Sequence, residues 1–279
     1  MQKKYAVIGH PIGHTMSPFI HKKLFELAGV DAEYSVIDIA PENMEREYNE
    51  VLKTLDGYNI TIPHKQAIIP FLDSLDDKAR LYGSVNTVSN RDGFSKGYTT
   101  DPDGFLKALE YADIPLCGNV VILGCGGVAR TMAYEALFKG ADLKFAVREK
   151  SVEKAQKLVS EIKENFKDCK IGVCTLDELS GAIDTLINAT PVGMSPKTEY
   201  MPVDENVLKN CANVFDAIYN PLDTLLIKTA RKNGSNAEGG MSMLVWQAAV
   251  AQYHWNGSEF NTEDIEKLCA EASEELINR

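Results

Sequence analysis

A glycine-rich turn near the middle of the chain has a definite chemical implication. The apolar strand 120–123 runs directly into Gly124-Cys125-Gly126-Gly127, and an apolar helical stretch begins at about Val128-Ala129. Glycine at such a turn lets backbone N–H groups approach a phosphate, and the N-terminus of the following helix adds partial positive charge. The arrangement therefore predicts a turn that binds the pyrophosphate of a dinucleotide. A tight turn without a ligand remains the alternative for a lone glycine motif.

A second set of polar residues lies in the first hundred residues, where predicted strands end. Its members are Thr15, Ser17, Asn59, Thr61, Lys65, Asn86 and Asp101. Strand ends in an open α/β sheet are the usual place for a site, because the sheet fixes the geometry of the side chains there. Hydroxyls and amides can bind a polyol, a lysine can hold a carboxylate or exchange a proton, and an aspartate can hold that lysine. Taken singly, each residue also fits a cap or a turn, and Ser17 before Pro18 fits a helix N-cap.

The elements that position both sets alternate between strands and helices. We predict strands at 5–9, 33–39, 57–62, 119–123, 142–147, 171–174, 184–188 and 213–217, and a hairpin of 85–88 with 94–99. We predict helices from Ser17 to about Gly29 and over 41–54, 102–113, 127–139, 151–166, 240–255 and 262–277, with several short helices in 64–83.

This alternation is typical of an α/β protein in which parallel strands are joined by helices. We expect an N-terminal αβ substrate domain of residues 1–101 and 240–279. We expect a Rossmann-like, doubly wound nucleotide-binding domain of residues 102–239, with the C-terminal helices packing back on the first domain.

The bulk composition limits the classes of partner. The chain has 279 residues and a formal net charge of -11, which argues against nucleic acid or an anionic membrane as a partner. Its six cysteines form no C-x-x-C pair and no zinc-type cluster with histidine, so we expect free thiols and no metal. No stretch approaches the ~20 apolar residues of a membrane span. We expect a cytoplasmic monomer or homodimer that acts on a small molecule.

Short motifs follow one another in a characteristic order along nearly the whole chain. They are Gly9-His10-Pro11-Ile12-Gly13-His14-Thr15-Met16-Ser17-Pro18, Asn59-Ile60-Thr61-Ile62-Pro63-His64-Lys65, Val85-Asn86-Thr87, Thr100-Asp101-x-x-Gly104, Gly124-x-Gly126-Gly127, Asn188-Ala189-Thr190-Pro191-x-Gly193-Met194, Asp216-x-x-Tyr219-Asn220-Pro221 and Met243-Leu244-Val245-x-Gln247. This order resembles that of the shikimate dehydrogenase family, which includes shikimate/quinate dehydrogenases.

The resemblance implies a reversible hydride transfer between shikimate and NADP that interconverts shikimate and 3-dehydroshikimate, in the biosynthesis of chorismate and aromatic amino acids. It implies that Lys65 is the catalytic lysine and Asp101 its partner, and it leaves open whether Lys65 acts as a base or as a positioned donor. It implies that the substrate pocket contains Thr15, Ser17, Thr61, Asn86, Tyr219 and Gln247. It implies that the cofactor contacts Gly124, Cys125, Gly126, Gly127, Val128, Ala129, Arg148, Glu149, Lys150, Thr190, Met194, Ile218 and Gly240.

Four positions depart from the family pattern. They are Thr15 in place of the first serine of Ser-x-Ser, Thr99 in place of an asparagine, Ser242 in place of a small residue, and Glu149 in the segment after the second strand of the nucleotide domain. A carboxylate near the ribose favours NAD, whereas cations favour the 2′-phosphate of NADP. The flanking Arg148 and Lys150 therefore favour NADP, with NAD still possible.

Three other functions stay open on the sequence. The first is a quinate/shikimate dehydrogenase that uses NAD. The second is a non-catalytic regulatory protein that binds shikimate, which would not need Lys65 and Asp101. The third is a folate-linked dehydrogenase of similar architecture, against which the polyol-type pocket argues.

Overall fold

The computed structural model describes residues 2–13 and 15–279, and the chain divides into two compact units. Unit 1 runs up to Gly104 and resumes at Val245–Arg279, and unit 2 is Phe105–Leu244. His14, which belongs to the first motif quoted above, and Met1 lie outside the described residues.

The described residues form strands and helices in an alternating order. The strands are β1 (Lys3–Gly9), β2 (Ala32–Asp38), β3 (Gly57–Ile60), β4 (Ser74–Leu75), β5 (Thr87–Arg91), β6 (Phe94–Tyr98), β7 (Asn119–Leu123), β8 (Asp142–Val147), β9 (Ile171–Thr175), β10 (Ile183–Asn188), β11 (Cys211–Asp216) and β12 (Asn236–Glu238). The α-helices are α1 (Ser17–Ala28), α2 (Met44–Glu50), α3 (Asp77–Tyr82), α4 (Asp101–Tyr111), α5 (Gly127–Phe138), α6 (Val152–Asn165), α7 (Glu205–Leu208), α8 (Leu225–Lys232), α9 (Met241–Asn256) and α10 (Thr262–Ile277).

Unit 1 is built on a mixed sheet with the strand order β2-β1-β3-β5-β6-β4. Strand β1 is parallel to β2 and β3, and β5 is antiparallel to β3 and β6. Residues from Val245 onward, which include most of α9 and all of α10, belong to this unit. Trp255 of α9 stacks on Tyr5 of β1 with ring centroids 4.5 Å apart, and its indole Nε1 donates to the carbonyl of Val88 at 2.9 Å.

Unit 2 is a parallel sheet with the strand order β12-β11-β10-β7-β8-β9. This is the doubly wound order of dinucleotide-binding domains, in which the chain winds outward in both directions from two central strands. Strands β7 and β10 are those neighbours, so the switch point lies at their carboxyl ends. The prediction of an α/β fold with a doubly wound domain is confirmed.

Several element boundaries differ from the sequence-based predictions. Helix α1 begins at Ser17 and its N-cap position is Met16 without a side-chain cap, so the prediction that Ser17 is the N-cap is wrong. Strand β3 ends at Ile60, because the chain turns into successive tight turns there. The strand predicted at 85–88 is shifted to Thr87–Arg91 and joins β6 through Asp92 and Gly93, both at positive φ, as in a two-residue hairpin turn. Strands β4 and β12 were not predicted. Among the described residues, no helix is both long and apolar enough to cross a membrane.

Candidate active site

The centre of the polar cluster in unit 1 is an ion pair between Lys65 and Asp101. Lys65 lies in the turns after β3, Asp101 is the first residue of α4, and Lys65 Nζ is 2.6 Å from Asp101 Oδ2. The side chains are only 24% and 12% exposed, respectively. The other carboxylate oxygen, Oδ1, accepts from Asn86 Nδ2 at 2.8 Å. Both carboxylate oxygens of Asp101 thus accept hydrogen bonds. This arrangement holds the half-buried amine of Lys65 in a defined position, where it can exchange a proton with a bound hydroxyl.

Asn86 connects this ion pair to two further polar side chains. Its Oδ1 accepts from the backbone N–H of Thr100 at 2.8 Å, and its Nδ2 lies 3.0 Å from Thr100 Oγ1 and 3.4 Å from Gln247 Oε1. Thr100 Oγ1 in turn lies 3.4 Å from Gln247 Oε1. The structure therefore brings Lys65, Asp101, Asn86 and Gln247 into one cluster. Thr100 was missed as a site residue, although its place directly before Asp101 was a signal.

Thr15 and Ser17 form a local pair of hydroxyls at the start of α1. Thr15 Oγ1 donates to Ser17 Oγ at 3.1 Å and accepts from the Ser17 backbone N–H at 3.2 Å. Thr61 follows β3, where its backbone N–H donates to the carbonyl of Ile8 at 2.9 Å. Tyr219, the remaining predicted pocket residue, is partly buried and belongs to unit 2.

Unit 2 contains a cavity of about 360 Å³ at the switch point of its sheet. The turn contributes Gly124, Cys125 and Gly126, and the loop after β10 contributes Ala189–Val192. Gly124 has φ +96°, and a Cβ there would lie 2.8 Å from Thr190 Cγ2, so glycine is required by both conformation and space. Gly126 stands at the N-cap of α5, and a Cβ built on it meets no atom within 4 Å. The cavity thus has the open helix N-terminus that a pyrophosphate requires.

Three residues after β8 line the same cavity at every third position. They are Arg148, Ser151 and Lys154. In the part of the chain that the structure describes, neither Arg148 nor Lys154 forms an ion pair with a carboxylate, so both cations are available to an anionic ligand. Ser151 and Lys154 were missed, although the i, i+3, i+6 spacing from Arg148 was a usable signal. Glu149 and Lys150 are exposed and are not among the residues that line the cavity.

A buried carboxylate supports the loop that carries Thr190. Asp216 Oδ1 accepts from Asn188 Nδ2 at 2.9 Å, and Asn188 Oδ1 accepts from Thr190 Oγ1 at 2.7 Å. Thr224 Oγ1 donates to the other oxygen of Asp216 at 2.7 Å. Burial raises the pKa of Asp216 to about 6, and the hydrogen bonds from Thr224, the backbone of Ile218 and Asn188 oppose this rise. The network fixes the edge of the cavity formed by the β10 loop.

The other predicted cofactor residues have different environments. Ala129 and Ile218 are buried and Met194 is exposed, whereas Val128 is partly buried next to the turn. A Cβ on Gly240 would collide with the backbone carbonyl of Ala217, so a close backbone approach explains this glycine. Among residues 2–13 and 15–279, no group of three or more His, Cys, Asp or Glu side chains is placed to hold a metal.

Two of the departures from the family pattern are buried side chains, Thr99 and Ser242. Ser242 is buried and its hydroxyl donates to Glu238 Oε1 at 3.2 Å, so the added side chain is accommodated inside unit 2. Thr99 is also buried, and within the described residues its hydroxyl has no hydrogen-bond partner.

The doubly wound sheet and its cavity at the switch point define unit 2 as a domain of the dinucleotide-binding class. Comparison with known proteins gives a more specific result. Residues 7–88 match the family model described as the shikimate dehydrogenase substrate binding domain. The chain is 38% identical over 275 residues to the shikimate dehydrogenase (NADP(+)) of Caldanaerobacter subterraneus subsp. tengcongensis, covering 96% of this chain and 97% of that protein.

Solved structures agree with these matches. The shikimate 5-dehydrogenase of Thermus thermophilus, in complex with NADP(H) and shikimate, has a TM-score of 0.87 at 29% identity, over 97% of this chain and 100% of that one. The Listeria monocytogenes enzyme, in complex with shikimate and NAD, has a TM-score of 0.83 at 29% identity, over 96% of each chain. The chain belongs to the shikimate dehydrogenase family.

Proposed function

We propose that this protein is an NADP-dependent shikimate dehydrogenase, which reversibly reduces 3-dehydroshikimate to shikimate in the biosynthesis of chorismate and aromatic amino acids. The observation that carries the proposal is the half-buried Lys65–Asp101 pair, which is held by Asn86 in a chain that belongs to this family. An ion pair with both carboxylate oxygens engaged is a device for positioning an amine, which argues for catalysis over ligand binding alone.

In this proposal, the residues of unit 1 bind the substrate and move its proton. Lys65 Nζ takes the proton of the C3 hydroxyl when shikimate is oxidised and returns it when 3-dehydroshikimate is reduced, while Asp101 holds the amine in place. The nicotinamide supplies the acceptor or donor of the C3 hydride. Thr15 and Ser17 hold the substrate carboxylate, and Thr61 contributes to the pocket. Asn86, Asp101 and Gln247 hold the ring hydroxyls, and the pocket role that the family resemblance implies for Tyr219 stays a prediction from the sequence.

We propose that unit 2 binds NADP through the cavity at its switch point. Gly124–Val128 with Ala129 form the pyrophosphate turn, and Thr190, Met194, Ile218 and Gly240 belong to the nicotinamide end of the same domain. Arg148 and Lys154 line the cavity and, within the described residues, form no ion pair with a carboxylate, so they favour the 2′-phosphate of NADP. The cytoplasmic location and the monomeric or homodimeric state stay predictions from the sequence.

A second candidate is a quinate/shikimate dehydrogenase that uses NAD. Exposed Glu149 beside Arg148 favours it, because a carboxylate at this place suits a free ribose hydroxyl.

The initial rate of nicotinamide reduction separates the two candidates. The purified protein is assayed in four combinations, with shikimate or quinate as substrate and NADP or NAD as cofactor. We expect the highest kcat/KM with shikimate and NADP. A preference for quinate or NAD supports the second candidate, and no turnover in any combination, with shikimate binding intact, rejects the catalytic function.

A further inference from the structure

From the Lys65–Asp101 pair, a series of hydrogen-bonded polar side chains extends to Tyr34 on β2. Asn86 Oδ1 lies 3.2 Å from Thr87 Oγ1, and Thr87 Oγ1 lies 3.1 Å from Asn59 Nδ2. Asn59 Oδ1 lies 2.7 Å from the hydroxyl of Tyr34. Asn59, Asn86 and Thr87 are almost fully buried, so each of their polar atoms needs a partner inside the protein.

The direction of each hydrogen bond at the Asp101 end follows from groups that can only donate or can only accept. The Thr100 backbone N–H can only donate, so it fixes Asn86 Oδ1 as the acceptor and turns Asn86 Nδ2 toward the carboxylate of Asp101. Since Asn86 Oδ1 can only accept, the Thr87 hydroxyl must donate to it. Thr87 Oγ1 has then used its only proton, and it accepts from Asn59 Nδ2.

The same reasoning extends to Tyr34. Asn59 Nδ2 also faces the backbone carbonyl of Asn86 at 3.3 Å, which confirms the orientation of the Asn59 amide. Asn59 Oδ1 is therefore an acceptor, and the Tyr34 hydroxyl must donate to it. Burial raises the pKa of Tyr34 well above its usual value, so this hydroxyl keeps its proton, and a hydrogen bond from Ser17 acts in the opposite direction.

The ring of Tyr34 is held by a neutral neighbour. It stacks on His21 with centroids 4.5 Å apart and an interplanar angle of 11°. His21 is fully buried, and its Nδ1 lies 3.1 Å from Gln252 Nε2. Burial lowers the pKa of His21 to about 3, so no charge develops against the Tyr34 ring at neutral pH. The stacking on His21 and the hydrogen bond to Asn59 therefore fix the position of the Tyr34 hydroxyl.

We propose that Tyr34, Asn59 and Thr87 are positioning residues, which hold the Asn86–Asp101–Lys65 end of the substrate pocket through one directed series of hydrogen bonds that begins at Tyr34. Every donor in the series points toward the carboxylate of Asp101, and aligned hydrogen bonds polarise one another. The inference rests on the proposed function of this site. None of the three residues is assigned a contact with the substrate; each acts through Asn86.

The series predicts a selective effect on substrate binding. Tyr34→Phe keeps the ring and its stacking on His21 but removes the donor to Asn59. The Asn86 end of the pocket then loses a fixed orientation, while the cavity of unit 2 is unchanged. We expect the KM and the dissociation constant of shikimate to rise by about tenfold, the value for loss of one well-formed hydrogen bond, while the KM of NADP is unchanged.

The matched control is Tyr58→Phe. Tyr58 lies next to Asn59 on β3 and is fully buried, and in the described part of the chain its hydroxyl has no hydrogen-bond partner. We expect this variant to keep the wild-type KM for both ligands. A Tyr34→Phe variant that behaves like Tyr58→Phe overturns the proposal, and so does an equal rise in the KM of shikimate and of NADP.

A second pair of variants tests the series if Tyr34→Phe does not fold. Thr87→Val removes the hydroxyl that joins Asn59 to Asn86, and Thr87→Ser restores it. We expect the valine variant to weaken shikimate binding by about tenfold and the serine variant to recover it. Equal values for both variants overturn the proposal. Turnover of the unmodified protein with shikimate and NADP tests the proposed function separately. Calorimetric titration with shikimate measures the effect of the variants on substrate binding even if the protein shows no turnover.

Discussion

Replacing Gly126 by alanine tests the cofactor turn without disturbing the fold. The backbone of Gly126 has φ -89° and ψ -171°, which any residue adopts, and a Cβ there meets no atom within 4 Å. The added methyl group therefore costs the free protein little, and we expect the free energy of unfolding to change by no more than about 0.5 kcal/mol.

Binding of NADP should respond in the opposite way. Gly126 lines the cavity at the N-terminus of α5, so its methyl group occupies the space through which a phosphate approaches the backbone N–H groups. A hydrogen bond to a charged group contributes about 1.5–3 kcal/mol. Its loss corresponds to an NADP dissociation constant about 10- to 100-fold higher.

Two glycine controls make the comparison specific. Gly124→Ala places a side chain at φ +96° and 2.8 Å from Thr190 Cγ2, so it should lower the free energy of unfolding by about 1–2 kcal/mol as well as weaken NADP binding. Gly172→Ala adds a methyl group in open space on β9, away from the cavity, and should change neither quantity. Calorimetry with NADP and urea unfolding measure both quantities. Wild-type NADP affinity in Gly126→Ala would refute the assignment of this turn to the cofactor.

Three more predictions concern unit 2. Lys154→Ala should raise the KM of NADP by about tenfold and leave the KM of NAD nearly unchanged, because an ammonium recognises the 2′-phosphate that only NADP carries. Glu149→Ala should leave the use of NADP intact or improve it. A selective loss of NADP use in Glu149→Ala would contradict the cofactor assignment. The folded protein binds a proton at Asp216 more tightly than the unfolded chain does, since its pKa is raised to about 6 from 3.8, so the stability contribution of this group is fully present below pH 3.8 and falls as the pH rises through 6. Relative to Asp216→Asn, the unmodified protein should lose about 2 kcal/mol of unfolding free energy between pH 4 and pH 7. A difference between the two proteins that stays constant with pH in urea titrations would show that burial does not raise the pKa of this carboxylate.

Local patterns were enough to predict most elements of unit 2. The apolar strand before Gly124 and the helix after it are β7 and α5, and the alternation that follows produces the doubly wound sheet. Each of these elements has a continuous buried face, which is the signal that a sequence shows directly. The short edge strands β4 and β12 have two and three residues, too few to show a period.

The region between β3 and β5 was harder to predict because tertiary hydrogen bonds decide it. Lys65 is fixed by its backbone carbonyl, which accepts from the Val85 N–H at 2.8 Å, and Asn86 is fixed by Tyr98, whose carbonyl accepts the Asn86 N–H at 3.0 Å. Residues 85–86 lie outside the regular strand, although their β-branched and polar pattern favours one.

The identity of the polar residues near Lys65 could be read from the motifs, but their connections could not. Thr100 and Thr87 are neighbours of quoted site residues, whereas Tyr34 lies on β2 and joins the network only through the pairing of β1 with β2 and β3. Sheet register across three strands is not visible in any local window. The network of Tyr34, Asn59 and Thr87 therefore required the structure.

The most direct test of the central claim compares Lys65→Ala with Lys78→Ala in steady-state turnover of shikimate and NADP. Lys78 Nζ lies 2.6 Å from Asp103 Oδ1, so both lysines pair at the same distance with a carboxylate in the first turn of α4, and only Lys65 belongs to the Asn86 cluster. The account predicts that Lys65→Ala lowers kcat by about 10²- to 10⁴-fold with a much smaller change in the shikimate dissociation constant, while Lys78→Ala keeps wild-type kcat. Near-normal kcat in Lys65→Ala would contradict the catalytic role of the pair.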